Sequence, residues 1–324
     1  MTEETAQRRR YEFIEDIPGV GPTTARKLRE LGFRTVESVA MATIRELEQV
    51  GISEKKAHEI IKVARSSISL SFVRADELLK MRQKVLRLKT GSRRLDELLG
   101  GGLETQTITE FYGEYGSGKS QMAHQLCVNV QLPIEKGGLE GGALYIDTEN
   151  TFRTERILQM ANHIGLDPDE AVENIIVAEA YNSDHQMFLL ENSDQIIKEN
   201  GIRLIVVDSL TAHFRSEYLG RENLAIRQQK LNKHMHKLIR LARGFNAVAF
   251  ATNQVMSSPD VFFGDPIRPI GGHVVGHTSH TRVFLRKSSR GPVRIARLVS
   301  SPYLPEGEIT FKITENGIED VEGE

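Results

Sequence analysis

Gly113-Glu114-Tyr115-Gly116-Ser117-Gly118-Lys119-Ser120 fits the spacing GxxxxGK[S/T]. Glycines at these places let backbone N–H groups converge on phosphate oxygens, and a helix opening at Lys119 adds the positive end of its dipole. Lys119 then neutralises the β and γ phosphates of a nucleoside triphosphate, and the Ser120 hydroxyl ligates Mg²⁺. The apolar run Leu204-Ile205-Val206-Val207-Asp208 ends in a carboxylate suited to holding a magnesium-bound water. Alone, a buried strand ending in Asp reads as structural; beside the glycine-rich motif, Asp208 reads as part of the same site. Glu149, two residues past the run ending at Asp147, is the carboxylate best placed to orient an attacking water. From spacing alone, a solvated glutamate opening a loop is an equal reading. Asn253 and Gln254 end a further run, where an amide either senses the γ-phosphate or merely terminates a strand.

Such groups act together only if strands end side by side. Beyond Thr90, apolar β-rich runs at 108–112, 143–147, 175–178, 204–208 and 247–252 alternate with amphipathic segments at 119–130, 155–164, 184–199 and 222–243. That alternation predicts a mostly parallel sheet covered by helices. Three further runs, 282–286, 294–299 and 308–313, add an antiparallel edge, the first two joined through Ser288-Ser289-Arg290-Gly291-Pro292 as a hairpin. The fold class is therefore α/β, preceded by a small all-α module. In that module, helices are expected at 14–21, 24–31, 36–47 and 54–64, broken at glycines. Domain boundaries fall at 1–66 for the helical module, 67–89 for a linker and 90–324 for the α/β core.

The chain has 324 residues, about two domains at ~150 residues each. Forty-two Lys and Arg against 44 Asp and Glu give a net charge of −2, which excludes a uniformly basic binder and leaves local patches open. The single cysteine, Cys127, excludes an intrachain disulfide framework or a multi-thiolate zinc site and suits a reducing compartment, the cytoplasm. No run approaches the roughly 18 apolar residues of a membrane helix, so no membrane partner is expected. The segment from Pro266 to Pro305 holds no Asp or Glu and seven cations, among them Arg282, Arg286, Arg290, Arg294 and Arg297. A second basic run passes through Arg215, Arg221, Arg227, Lys230, Lys233, Lys237, Arg240 and Arg243. Such runs suit phosphate contacts along a nucleic-acid strand, although a solvated helix face explains many of the lysines at 230–237. Val261, Phe262 and Phe263 lie in a stretch too rich in Gly and Pro for a core strand, where exposed side chains would wedge between bases or else pack under the loop. The turns Pro18-Gly19-Val20-Gly21 and Val50-Gly51-Ile52 resemble helix-hairpin-helix elements, which offer backbone N–H groups to DNA phosphate.

The P-loop, Tyr145-Ile146-Asp147-Thr148-Glu149, Leu204 to Ser209, Asn253-Gln254-Val255, Gly271-Gly272-His273 and Ser301-Pro302-Tyr303-Leu304-Pro305 occur in the order and spacing of one family. Over almost its whole length the chain resembles the archaeal RadA recombinases, whose core is similar to that of RecA. The resemblance implies a RecA-like P-loop ATPase core and a DNA-dependent ATPase. That ATPase would form nucleoprotein filaments on single-stranded DNA and catalyse homologous pairing and strand exchange in recombination and repair. It implies ATP and Mg²⁺ as cofactors, single- and double-stranded DNA as partners, self-assembly into filaments or rings, recombination mediators, and a nucleoid-associated place in the cytoplasm. Glu149 looks like the water-activating glutamate, Gln254 like the γ-phosphate sensor and Arg156 like the residue stacking on adenine. Gln121 follows the P-loop, while His277 and Pro305 look like nucleotide contacts made across a subunit boundary. Phe214 to Arg221 and Ser257 to Gly272 look like the two DNA-binding loops, assigning Arg215, Arg221, Arg227, Val261, Phe262, Gly271 and Gly272 to DNA.

Two further features follow from the family pattern. Phe72-Val73-Arg74-Ala75 matches its FxxA tetrapeptide, which adds a strand to a neighbouring subunit and buries its Phe there. Asn150 stands where the family usually has glycine, and Ser300 where it often has an aspartate that helps bind a monovalent cation. A neutral serine predicts weaker use of K⁺, with Glu306 the residue able to compensate. Two rivals share these motifs: a paralogue that only assists, which both basic loops and FxxA disfavour, and a nucleotide-switched ring or scaffold protein, which the helical module and the acid-free stretch disfavour.

Overall fold

In the computed structural model, which describes residues 11, 13–30, 33, 35–48, 51–67, 74–257 and 267–323, the chain forms two units, 1–81 and 82–324. In the first, a 3₁₀ turn at Ile14–Asp16 precedes α1 (Pro22–Glu30), α2 (Val36–Ala40), α3 (Ile44–Glu48) and α4 (Glu54–Ser67). Ile17, Val20, Leu28, Val39, Leu47 and Ile60 form its core. Gly19 and Gly51 adopt φ +89° and +74°, left-handed turns that a side chain would strain. The single helix expected over 36–47 breaks because Thr43 starts a new one. Its N–H donates to Glu46 Oε2 at 2.8 Å and its hydroxyl accepts from the Glu46 N–H at 3.3 Å, a reciprocal capping box. A further helix, α5 (Ala75–Arg82), follows within the span read as linker.

The second unit opens with a two-stranded antiparallel ladder of β1 (Arg87–Leu88) and β2 (Leu103–Glu104), with α6 (Arg93–Leu98) between them. Leu88 is fully buried and the Lys89 N–H donates to Gly137 O at 2.9 Å. Residues 82–89, read above as linker, thus belong to this unit. Then come β3 (Ile108–Gly113), α7 (Lys119–Asn129), β4 (Gly142–Asp147), α8 (Thr154–Ile164), α9 (Pro168–Glu173) and β5 (Ile175–Glu179). They are followed by α10 (Ser183–Glu191), α11 (Asp194–Glu199), β6 (Ile202–Asp208), α12 (Ala212–Glu217), α13 (Leu224–Gly244) and β7 (Val248–Asn253). The chain continues through β8 (Val255–Ser257), β9 (Ile267–Pro269), α14 (Gly272–Thr278), β10 (Thr281–Lys287), β11 (Val293–Ser300), β12 (Gly307–Thr314) and β13 (Gly317–Asp320).

Nine strands form one sheet in the order β13-β12-β11-β10-β3-β7-β6-β4-β5. It is parallel from β10 to β5 and antiparallel from β10 to β13. Val206 faces one hydrophobic core with Phe111, Tyr145 and Phe250, whereas Ile205 and Val207 face another with Met235 and Leu238. With both faces covered, β6 reads in sequence as an unbroken apolar run. The expected helix at 184–199 divides at Asn192 and Ser193, whose side chains bond back to Phe188 O and Leu190 O at 2.8 and 2.9 Å and close α10. The fourth antiparallel strand, β13, and the helices α9 and α12 exceed the expectation. β3, β4, β6 and β7 all end at the same edge, the crevice where open α/β sheets hold their ligands.

Candidate nucleotide and DNA site

Gly113 ends β3 so close to β10 that a Cβ there would lie 2.1 Å from Leu285 O. Gly116 and Gly118 take φ +71° and +106°, turning the loop so that Lys119 opens α7. Lys119 Nζ donates to Gly113 O at 2.9 Å and Glu114 O at 3.0 Å. Burial lowers its pKa, against the opposing pull of Asp208 and Glu149. Among the described residues, the buried hydroxyls of Ser117 and Ser209 have no hydrogen-bond partner. Unpaired donors beside a P-loop fit a phosphate chain, and the oxygens of Ser120 and Asp208 are of the hard kind that Mg²⁺ takes beside phosphate and water.

Asp208 is 3% exposed and accepts hydrogen bonds from three hydroxyls: Tyr145 at 2.6 Å, Thr151 at 3.4 Å, and Thr252. Two are directed at Oδ2 and one at Oδ1, which fixes the carboxylate plane. Beyond β4, Asp147 accepts from the Glu149 N–H at 3.1 Å and the Phe152 N–H at 2.9 Å, folding the intervening loop over itself. Asn150 sits in that fold at φ +53°. The position needs left-handed backbone, for which asparagine is the usual alternative to glycine, so the departure from the family pattern keeps the turn. Glu149 Oε1 accepts from Gln254 Nε2 at 2.6 Å, joining the ends of β4 and β7.

Lys119, Ser120, Glu149, Asp208 and Gln254 line one cleft of about 850 Å³. On its other wall, Arg156 Nε donates to Gln121 Oε1 at 2.8 Å, and its terminal nitrogens reach Thr314 O at 2.6 Å and Glu315 O. The guanidinium is thereby held as a flat surface suited to stacking. His124, Tyr145, Thr252 and Arg294 were not anticipated. The signal for His124 was its place four residues after Ser120, one turn along α7.

Other expected site residues lie elsewhere. Pro305 and His277 do not line this cleft; both are exposed, and His277 stacks on His273 with centroids 5.6 Å apart. Arg215 is exposed on α12, Arg221 is exposed before α13, and Arg227 lies on α13 with its buried Nε unpartnered among the described residues. Gly271 takes φ +96°, where a Cβ would meet Val275 at 2.4 Å, and Gly272 opens α14. Ala75 is exposed at the start of α5, whereas Phe72, Val261 and Phe262 lie outside the described residues. Three of the seven cations of the acid-free basic stretch pair with carboxylates from beyond it. Arg282 pairs with buried Glu110 at 2.7 Å, and Arg286 with Glu308 and Arg297 with Glu306 at 3.0 Å each. Lys230, Lys233 and Lys237 pair with Asp184, Glu191 and Asp194, so those lysines are a paired helix face.

A Rad51 family model matches residues 81–321, and a model of a SAM-like tandem helix-hairpin-helix matches residues 11–66. The chain is 55% identical over 316 residues to the DNA repair and recombination protein RadA of Aeropyrum pernix, covering 97% of this chain and 99% of that relative. The chain belongs to the RadA and Rad51 recombinase family. The RecA-like core and helix-hairpin-helix module expected from the sequence are the family's domains. Recombinases of this family are DNA-dependent ATPases that use ATP with Mg²⁺, bind DNA and form filaments. No helix among the described residues is long and apolar enough to cross a membrane.

Proposed function

We propose that this chain coats single-stranded DNA as a filament and uses ATP to pair and exchange homologous strands. The observation that carries the reading is the Glu149–Gln254 contact, which sets a base and an amide sensor opposite Lys119 and Asp208 in one cleft. Lys119 binds the β and γ phosphates, Ser120 and, through water, Asp208 hold Mg²⁺, and Arg156 stacks on adenine. Bound Mg²⁺ supplies charge neutralisation of the phosphate oxygens. Glu149 orients and deprotonates the attacking water, and Gln254 links the γ-phosphate to the segments that follow β7.

Arg215, Arg221 and Arg227 meet DNA phosphates, and Val261 and Phe262 enter the base stack. Between subunits, Phe72-Val73-Arg74-Ala75 adds a strand to a neighbour's sheet; among the described residues the β5 edge is unpaired, and Val177 on it is 42% exposed. Pro305 and His277 reach the nucleotide of the adjacent subunit. Serine at 300, with Glu306 already paired to Arg297, gives weak dependence on K⁺. The protein works on the chromosome in the cytoplasm, together with mediator proteins. Joint-molecule formation between single-stranded and homologous duplex DNA, with ATP and Mg²⁺, tests the reading; DNA-stimulated hydrolysis without joint molecules would refute strand exchange.

A further inference from the structure

His124 occupies the second turn of α7, is 1% exposed, and uses both ring nitrogens. Nδ1 lies 2.5 Å from Ser120 O, and Nε2 lies 3.1 Å from the backbone nitrogen of Arg153. A carbonyl only accepts and a backbone N–H only donates, so the two partners together assign the proton to Nδ1 and leave Nε2 as the acceptor. The ring stacks on Phe152, centroids 5.2 Å apart and planes 23° from parallel, and lies 5.7 Å from the Tyr145 ring that hydrogen-bonds Asp208.

The two anchors of this imidazole belong to different parts of the site. Ser120 is in the first turn of the P-loop helix. Arg153 is the N-cap of α8, where the loop bearing Glu149 becomes the helix bearing Arg156. Asp147 holds that loop through the Glu149 and Phe152 N–H groups, the Arg153 side chain donates to Asn150 O and Phe152 O, and the imidazole adds a link from the loop's exit to α7. The Arg153 N–H is among the donors that a helix start leaves without an intrahelical partner, and the imidazole accepts it.

We propose that His124 is a positioning residue for water activation, its imidazole keeping the Glu149 loop in register with the P-loop helix. The inference rests on the reading of Glu149 as the base. A displacement of the base by a fraction of an ångström lowers turnover without loss of nucleotide affinity, because the phosphate contacts are made elsewhere.

Asparagine reproduces the Nδ1 donor and glutamine the Nε2 acceptor, so the two substitutions separate the anchors. His124→Asn retains the Ser120 contact and loses the Arg153 one. Its DNA-stimulated kcat is expected to fall about tenfold, the factor matching one hydrogen bond, with the dissociation constant of a fluorescent ATP analogue within about twofold. His124→Gln recovers most of that loss. Hydrogen exchange at the Arg153 amide reads the contact directly and is faster in the Asn variant than in the Gln variant.

In a Glu149→Gln background, His124→Asn has no further effect on kcat, because its action passes through the base. Equal loss of kcat in both backgrounds, equal turnover of the Asn and Gln variants, or Arg153 exchange unchanged in both would overturn the proposal. Full turnover of Glu149→Gln alone would instead remove the base reading. Should His124→Asn fail to fold, Arg153 exchange and kcat of His124→Gln relative to His124→Phe carry the same comparison, with equality again negative.

Discussion

Gln254 Nε2 donates to Glu149 Oε1 at 2.6 Å, closing the gap between the ends of β7 and β4. The contact couples the expected base to the segment that follows β7. Glu149→Gln is expected to leave nucleotide affinity intact and lower kcat about 100-fold or more, whereas Lys119→Ala removes ATP binding itself. Equilibrium binding and steady-state hydrolysis of both variants separate the two roles.

Tyr145→Phe removes one of the three hydroxyls on Asp208 while leaving the ring buried. Losing a hydrogen bond to a buried carboxylate costs about 1.5–3 kcal/mol, to be read from the urea midpoint at constant m-value. The Mg²⁺ concentration for half-maximal hydrolysis should rise with it, since Asp208 is then less firmly oriented.

Two buried groups act against each other in acid. His234 lies between α13 and α10, its Nε2 3.2 Å from the Gln186 amide, and burial lowers its pKa from 6.5 to about 4. The unfolded chain then binds the proton more tightly, so His234 draws stability down as pH falls from 6.5 towards 4. Asp96 accepts from the Thr90 N–H and hydroxyl at 2.8 Å each, and burial raises its pKa from 3.8 to about 6. Here the folded chain holds the proton more tightly, so stability rises as pH falls from 6 towards 3.8. Shifts of this size are each worth about 3 kcal/mol at most, and they cancel over the shared window. Asp96→Asn should therefore lose stability more steeply than the parent as pH falls from 6 to 4, as urea midpoints at several pH values would show.

Arg221→Ala and Arg227→Ala should weaken single-stranded DNA binding regardless of sequence and reduce the slope of log affinity against log salt by about 0.7 per lost contact. Titrations over a range of salt concentrations give the slope. An unchanged slope in both variants places these arginines away from the backbone of the DNA.

Phe72→Glu should abolish large assemblies and leave a folded monomer, because a carboxylate in the neighbour's apolar pocket costs several kcal/mol if it stays charged. Burying one Phe contributes about 1.5–3 kcal/mol, below the roughly 4–15 kcal/mol lost on association, so nucleotide at the interface must add the rest. Light scattering with and without ATP checks both statements.

What sequence could and could not show follows from range. The P-loop is local: eight consecutive residues carry its spacing, and the strand before and helix after it are legible from the same window. Glu149 was legible as a candidate because a strand end fixes its neighbours, but its partner Gln254 lies 105 residues away. The pairing within the basic stretch was hidden for the same reason, since Glu110 sits in β3, 172 residues before its partner Arg282, and Glu306 and Glu308 lie beyond the window. His124 gave no signal beyond its helical offset because its second anchor is a backbone N–H, which no residue type encodes.

The brace on Arg156 has a consequence for synthesis. Its guanidinium is held by Thr314 O and Glu315 O, and the Ile318 N–H seats on Gln125 of the P-loop helix at 3.0 Å. A chain emerging from the ribosome therefore displays its P-loop nearly 200 residues before the strand that steadies α7, and the Arg156 wall of the cleft forms only after that strand is made. Capture of ATP by the complete cleft must then wait for residues 314–318, long after the P-loop itself is made.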